Sequence, residues 1–400
     1  MSRSSLPVTP TAGSRPAGSN AERTRRYNRR LVLGHVRAAG SAGRAEIARG
    51  SALSVQAVGN IVAELEAEGL LLEAGRRISG GRGLPAMQYA VNAGGGHALG
   101  AEIRADALLF ALIDLDGRTR FSVRESLDGA LPNDVAARLV ALRDRAMDTL
   151  DMAPDTLLGA GVVMPGPFVE TGLSGAASDL PHWRGVDARA LFADALGLEV
   201  VIENDANAAA MGERVSGVAR QLDGYAFLYF GTGVGLGIVH GGSLYRGAAG
   251  NAGEIGHVRV PYAGGTRPLE EAAGRLALRR HLADSGLVAD TAEDIAALHA
   301  EREPALVAWL DQAIPAVSHA VATIENLLDP GTVILGGALP DALLDEMIER
   351  LSLPDASVAM RGDRLVARVL RGTSGRMTAA LGGAALVVNR TFTPQLAVNG

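Results

Sequence analysis

An apolar, β-branched run, Val200-Val201-Ile202, stops abruptly at Glu203-Asn204-Asp205-Ala206-Asn207, and a small-residue stretch carries the chain on to Glu213. The pattern predicts a buried strand that ends where a helix opens. In open α/β sheets, polar groups at that point face the crevice in which ligands sit. An Asn side chain both donates and accepts hydrogen bonds, and an Asp accepts them or takes a proton. Side by side they suit a polyhydroxylated ligand. The same residues also make good helix caps, and the pair alone does not choose between the roles. Two more stretches follow. Phe230-Gly231-Thr232-Gly233-Val234-Gly235-Leu236-Gly237 is a glycine-rich turn between apolar runs. Gly250-Asn251-Ala252-Gly253-Glu254-Ile255-Gly256-His257 sets Glu254 and His257 three residues apart among glycines.

In this order the three stretches resemble the ROK family, named for repressors, open reading frames and kinases. The resemblance runs over roughly residues 23–390, nearly the whole chain. It implies a sugar pocket lined by Asn204, Asp205, Glu254 and His257, with Glu270 in the place of a family glutamate that reaches the sugar. Glu270 equally suits the first turn of a helix, where a carboxylate is favoured by the helix dipole. Asp205 stands where family kinases keep their catalytic base. The second phosphate-binding turn survives as Gly231-Thr232-Gly233-Val234-Gly235, and Gly336-Gly337 resembles the adenosine-side turn.

Two departures from the family pattern bear on chemistry. Family kinases open the domain with Asp-x-Gly-Gly-Thr, whose backbone amides approach the phosphates and whose Asp helps hold magnesium. Here the corresponding residues are Glu102-Ile103-Arg104-Ala105-Asp106, and no glycine lies between Gly100 and Gly117. Side chains at Arg104 and Ala105 take the space phosphates need. Positioning and charge stabilisation are nearly all of phosphoryl-transfer catalysis, so the chain is expected not to be an enzyme. Arg104 offers a charge of its own to a phosphate, which keeps an ATP-dependent hexose kinase with an accessory DNA-binding domain as the alternative. Many family members also hold zinc between the motif histidine and a cysteine-rich loop. This chain has no cysteine, so that site is expected to be absent, and no cofactor is expected.

These groups need elements to hold them. Four hundred residues suffice for two or three domains, and a hydrophobic share of 48% with 20% charged residues is globular. The net charge of −6 divides unevenly: residues 1–90 hold 13 Arg and 6 Glu (+7), residues 91–400 hold 25 Arg and 38 acids (−13). A basic end on an acidic body suggests a polyanionic partner for that end. Residues 1–20, rich in Ser, Pro, Gly and Thr, are expected as a disordered tail. Helices are predicted over 21–39, near Arg44–Arg49, and from Ser54 as N-cap, with Val58, Ile61, Val62 and Leu65 as one buried stripe. Leu70-Leu71-Leu72 and Met87–Val91 flank an exposed basic hairpin, Arg76-Arg77-Ile78-Ser79-Gly80-Gly81-Arg82-Gly83.

Three short helices and a basic hairpin predict a winged helix-turn-helix over 21–91. Its recognition helix would enter the major groove of operator DNA. Gln56 and Asn60 carry the amides that pair with adenine edges, and Ala57 suits a thymine methyl. Ser54 opens that helix, Arg44 suits a phosphate, and Arg76, Arg77 and Arg82 suit the minor groove or phosphates. A helical module that binds another protein is the alternative. A DNA-binding domain in this place matches the repressor branch of the family.

After a linker at 92–96, strand–turn–strand openings recur near His97–Ser126 and Tyr225–Tyr245, each followed by helices and further strands. Asn133 is expected to cap a long helix, and Leu365–Val369 to form a strand. The repeat predicts two similar α/β lobes over 97–400, with a break near 210–224 and a C-terminal helix returning to the first lobe. The resemblance implies the actin-like, ribonuclease-H-like sugar kinase fold. Trp183 suits either a cover over the ligand or core packing. No apolar run approaches the roughly 20 residues of a membrane helix. A cytoplasmic homodimer or homotetramer is expected, answering to a sugar or sugar phosphate and repressing carbohydrate-utilisation genes.

Overall fold

The computed structural model describes residues 20–77, 86–127, 129–166, 180–362, 364–373, 375 and 377–393. The N-terminal tail expected at 1–20 falls outside these except for Asn20, and Arg82 falls outside them altogether.

The chain opens with α1 (Asn20–Ala39), β1 (Ala42–Gly43), α2 (Arg44–Ser51), α3 (Val55–Ala67), β2 (Leu71–Arg77) and β3 (Ala86–Val91). The strands form a sheet in the order β1-β3-β2. Three helices with a three-stranded sheet are consistent with the winged helix-turn-helix expected, and β1 is the piece that two residues of sequence were too few to announce. Ser54 Oγ accepts from the Ala57 amide at 3.2 Å and starts α3. The stripe Val58, Ile61, Val62 and Leu65 is buried as its spacing requires. Each such side chain, fully buried, stabilises by about 1.5–3 kcal/mol.

Residues 92–96 do not hang free. Ala93–Gly95 form a short 3-10 turn, Asn92 Nδ2 donates to the Gly69 carbonyl at 2.7 Å, and the Leu115 amide donates to the Ala93 carbonyl at 3.1 Å.

The first lobe holds β4 (His97–Ile103), β5 (Ala107–Asp114), β6 (Thr119–Ser126), α4 (Pro132–Leu150), β7 (Leu157–Val163), α5 (Ala188–Leu196), β8 (Val200–Glu203) and α6 (Asp205–Val215). Asn133 does not cap α4: the helix begins one residue earlier at Pro132, with Leu131 as N-cap, because proline's fixed φ suits the first helical position. The second lobe holds β9 (Tyr225–Phe230), β10 (Val234–His240), β11 (Ser243–Leu244), β12 (Arg259–Tyr262), β13 (Gly265–Pro268), α7 (Leu269–Ala273), α8 (Arg275–Asp284), α9 (Ala292–Ala300), α10 (Pro304–Leu328), β14 (Val333–Gly337), α11 (Asp341–Glu349) and β15 (Val369–Arg371), and α12 (Thr378–Phe392) closes the chain. The strand expected at Leu365–Val369 starts only at Val369, where it pairs in parallel with Val333; Leu365 itself is almost wholly exposed.

The two large sheets have the same plan. One runs β6-β5-β4-β7-β8 and the other β11-β10-β9-β14-β15. In each, three antiparallel strands come first and two more then add in parallel. This is the actin-like, ribonuclease-H-like arrangement. Helix α12 lies across β4, β5 and β7 and against α6. Its approach is close: a Cβ on Gly161 would stand 1.9 Å from the Gly383 carbonyl oxygen, and one on Gly382 2.0 Å from that of Ala208. The small-residue run after Asp205 is therefore a packing surface.

Among the described residues, α10 is the one helix long and apolar enough to cross a membrane. Its apolar side, including Trp309, Leu310, Val317 and Val321, is buried in the second lobe's core.

Candidate functional site

The lobes enclose a cleft of about 1210 Å³. Its first wall is the junction of β8 and α6. Asn204 Oδ1 accepts from the Asn207 amide at 2.8 Å, so Asn204 does cap α6. That engages its oxygen and leaves its amide NH2 as the group it offers the cleft. Capping and cleft-lining therefore coexist in one side chain. Asp205 Oδ1 accepts from the Ala206 amide at 2.9 Å. Its other oxygen faces Gly231, where a Cβ would stand 3.2 Å away. Burial, followed by the charge of Glu102, lifts the Asp205 carboxyl to about 6.

Glu203 holds this junction in place. It accepts from Asn207 Nδ2 at 2.9 Å and from Arg246 Nε at 2.7 Å. Arg246 follows β11 on the other lobe, so the ion pair joins the lobes behind the cleft. Sequence reading gave Glu203 no role. Its position at the end of an apolar strand was the available signal, since a buried carboxylate requires a partner.

The second wall comes from the loop before β12 and from α7. Gly253, at φ +98°, has its α-carbon so close to the Leu236 carbonyl oxygen that a Cβ would lie 1.9 Å from it. This packing sets the adjoining residues against β10. His257 then stands between two carboxylates, with Nε2 3.7 Å from Glu254 and Nδ1 3.5 Å from Glu270. All three side chains are about a third to two-fifths exposed, open to the cleft. Glu270 also sits in the first turn of α7, so its helix-stabilising role and its cleft position are compatible. The stretch after His257 is the hairpin β12–β13. It supplies no thiol, since the chain has no cysteine.

The third feature is the β4–β5 turn. The Arg104 amide donates to the Ala107 carbonyl at 2.9 Å, which closes the turn without a glycine. The Arg104 guanidinium folds back onto Glu102, with Nε 2.6 Å and Nη2 3.0 Å from the two carboxylate oxygens. Burial is the largest influence on the Glu102 carboxyl and pushes its pKa up, while Arg104 pulls it down. Both members of this pair line the cleft. Across the cleft Gly231-Thr232-Gly233 is retained. A Cβ on Gly233 would meet Glu270 Oε2 at 2.6 Å, so this turn keeps its glycine for close approach. Thr232's carbonyl accepts from the Leu276 amide of α8.

Asn204, Asp205, Glu254, His257 and Glu270 therefore all line one cleft. Trp183 does not. Its indole Nε1 donates to the Ala130 carbonyl at 2.7 Å, and it stacks on Phe192 with centroids 5.6 Å apart. It packs the first lobe.

On the head, Gln56 and Asn60 are exposed on α3 and Ala57 is half-buried beside them. Val55, which sequence reading passed over, joins them at 56% exposed. Ser54's hydroxyl is engaged by its cap. Arg44 is exposed at the start of α2 and lies over the Tyr89 ring at 5.3 Å. Arg76 and Arg77 are exposed at the end of β2. The head's surplus of positive charge is partly spent internally. Arg25 pairs with Glu64 at 2.9 Å, and Arg29 pairs with Glu64 and Glu68.

A two-lobed sugar-kinase fold with a polar interlobe cleft and a winged-helix head defines a recognisable class. The chain belongs to the ROK family, whose model matches residues 99–390. It is 27% identical over 240 residues to the xylose repressor of Bacillus spizizenii, which is 60% of this chain and 62% of that protein. The chain thus spans about three-fifths of the length of that relative. It is 32% identical over 261 residues to the glucokinase of Thermotoga maritima, 58% of this chain and 82% of that one. A solved ROK family transcriptional regulator, a homologue of the E. coli MLC protein, is alike in fold. It covers 92% of this chain and 97% of its own length, with a TM-score of 0.71 and 23% identity.

Proposed function

We propose that this chain is a sugar-responsive transcriptional regulator, a repressor of carbohydrate-utilisation genes. The head (21–91) reads operator DNA through Gln56, Ala57 and Asn60, with Ser54 at the start of the reading helix, Arg44 on a phosphate, and Arg76, Arg77 and Arg82 on the minor groove or the phosphates. The 97–400 part holds a sugar or sugar phosphate with Asn204, Asp205, Glu254, His257 and Glu270. The reading requires neither a metal nor a cofactor. The observation that supports it is the Arg104–Glu102 pair at the β4–β5 turn, where family kinases would have glycines. The resemblance to a xylose repressor supports the same reading.

The protein acts as a homodimer or larger homo-oligomer. Two heads would dock on half-sites about 34–36 Å apart, or a multiple of that spacing. A ligand that prefers the geometry unable to span them by a few kcal/mol releases DNA. Fluorescence anisotropy on candidate operator fragments, with and without sugars, tests this.

One observation favours the second reading, an ATP-dependent hexose kinase with an accessory head. A carboxyl lifted to about 6 at Asp205 is near the value a general base needs. Sugar-dependent release of ADP from ATP would support the kinase, and its absence at millimolar substrates would support the regulator.

A further inference from the structure

Neither Glu203 nor Arg246 is among the described residues that line the cleft, yet both are tied to residues that are. Glu203 ends β8 directly before Asn204 and Asp205. Its two oxygens have separate partners. Oε1 accepts from the Asn204 amide at 3.2 Å and from Asn207 Nδ2 at 2.9 Å, and so fixes the start of α6. Oε2 accepts from Arg246 Nε, and Arg246 Nη2 stands 2.7 Å from the same atom. Arg246 opens the loop that runs to Glu254. Its carbonyl accepts from the Ala252 amide at 3.0 Å, which closes residues 246–252 on themselves. The next carbonyl, that of Gly253, accepts from the Leu236 amide at 2.9 Å, and Glu254 then enters the cleft. The ion pair thus joins the start of one wall to the loop that carries the other.

The pair is poorly placed to stabilise the fold. The Arg246 side chain is 46% exposed, and water weakens its attraction for Glu203. Glu203 is buried, at a cost in lost hydration that its partners must offset. What the pair does fix is position. Gly247 and Gly250 hold φ at +72° and +83°, in a region that side chains disfavour, so this loop has more backbone freedom than most. Its tip, Ala248-Ala249-Gly250, is exposed. Among the described residues, the bonds to Glu203 are the hydrogen bonds through which the loop reaches the first lobe.

We propose that Glu203 and Arg246 are positioning residues for the effector: their ion pair sets the spacing between Asn204 and Asp205 on one wall and Glu254 on the other. This rests on the sugar reading above and adds to it two residues that never touch the ligand. A polyhydroxylated ligand held from both sides binds tightly only where its partners already stand at the right separation, since ordering them on binding costs affinity. Without the pair, the loop is held at Gly253 and not from the first lobe, and the ligand itself has to bring the Glu254 wall into register with α6.

Two measurements on the full chain test this: calorimetric titration with D-glucose, D-xylose and their phosphate monoesters, and hydrogen exchange of residues 246–252 with and without the compound that binds best. Arg246→Ala and Glu203→Gln break the pair from either side. Arg246 is half-exposed, and a glutamine keeps an acceptor for Asn204 and Asn207, so both variants should fold, as a thermal melt verifies. Each should weaken binding by about tenfold, the loss expected when about one molecule in ten has its walls at the competent spacing. Arg246→Lys, which keeps a charge beside Glu203, should recover most of the affinity. Without ligand, exchange at 246–252 should quicken in Arg246→Ala. Saturating ligand should return it to the wild-type rate, because the ligand then orders the loop itself. A merely structural pair would leave affinity unchanged, or leave the quickened exchange unmoved by ligand. Either result overturns the proposal while the sugar reading stands, and so does exchange that Arg246→Ala does not alter. A wild-type chain that binds none of these compounds removes the sugar reading, and the proposal falls with it.

Discussion

Arg37, on the first helix of the head, donates from Nη2 to the carbonyl of Val215, the last residue of the helix that begins at Asp205, at 3.3 Å. One helix therefore has its N-terminus in the cleft and its C-terminus against the N-terminal head. The same guanidinium lies 4.5 Å over the Phe392 ring of α12. Burial, aided by the charge of Arg220, lowers its pKa to about 10, and it remains charged at neutral pH. Val32, Val36 and Val58 of the head share one continuous core with Met211, Val215 and Val388. The head is thus packed against α6 and α12 in a core that also takes in Tyr225, Phe227 and Val239 of the second lobe.

Arg37→Ala should separate ligand binding from its consequence. Losing a part-buried hydrogen bond and a cation–π contact costs about 1–3 kcal/mol in head docking. Sugar affinity should stay within about twofold, since nothing in the cleft changes. The ratio of operator affinities with and without effector should shrink toward one. Calorimetry and anisotropy on the same preparation measure both. An undiminished ratio would show that the signal bypasses this contact.

Asp205 gives a pH signature. Its folded value of about 6 exceeds the ordinary 3.8, so the folded state binds the proton more tightly. Stability conferred by the protonated form is present below about pH 4 and is lost as pH rises through 6. Asp205→Asn should therefore be more stable than wild type at pH 7–8, by about 1–3 kcal/mol, with the difference vanishing near pH 4. Ligand affinity runs the other way: a sugar hydroxyl donates to the carboxylate, so binding should weaken as pH falls through 6. Denaturant melts and titrations across pH 4–8 check both slopes. A pH-independent difference would place the carboxyl's pKa at its ordinary value.

Much of this architecture was legible in the sequence because its signals were local. The stripe Val58, Ile61, Val62 and Leu65, the Ser54 cap and the break at Glu203-Asn204-Asp205 each need only nearby residues to be read. The duplicated strand openings revealed two lobes for the same reason. What was not legible depends on contacts between distant segments. Glu203–Arg246 and Arg37–Val215 span 43 and 178 positions, and no spacing rule announces them. Asn133 and Leu365 were misplaced at element ends, where proline geometry and strand pairing decide the boundary.

Glu254→Ala should spare operator binding and abolish the response. Glu254 lies 3.7 Å from His257 in the cleft and belongs to the second lobe, away from the head. Removing it deprives the ligand of an acceptor and His257 of one of its two carboxylates. Unaltered effector potency in this variant would show that the ligand binds elsewhere.

Asn60→Ala should relax base preference at one operator position, at a cost of about 1–3 kcal/mol against the preferred base. Arg44→Ala should instead weaken binding alike for all sequences and lower the salt dependence, as loss of a phosphate contact does. Competition binding on single-base operator variants at several salt concentrations separates the two patterns. A uniform loss from Asn60→Ala would assign that side chain to the backbone.

The most direct measurement is the affinity of the full chain for its operator across a panel of sugars and sugar phosphates, read by anisotropy at fixed salt. At least one compound should weaken binding tenfold or more, and Glu254→Ala should erase that effect while leaving unliganded affinity intact. Operator affinity that no compound changes, or a chain that binds no DNA while turning over ATP and sugar, would contradict the regulator.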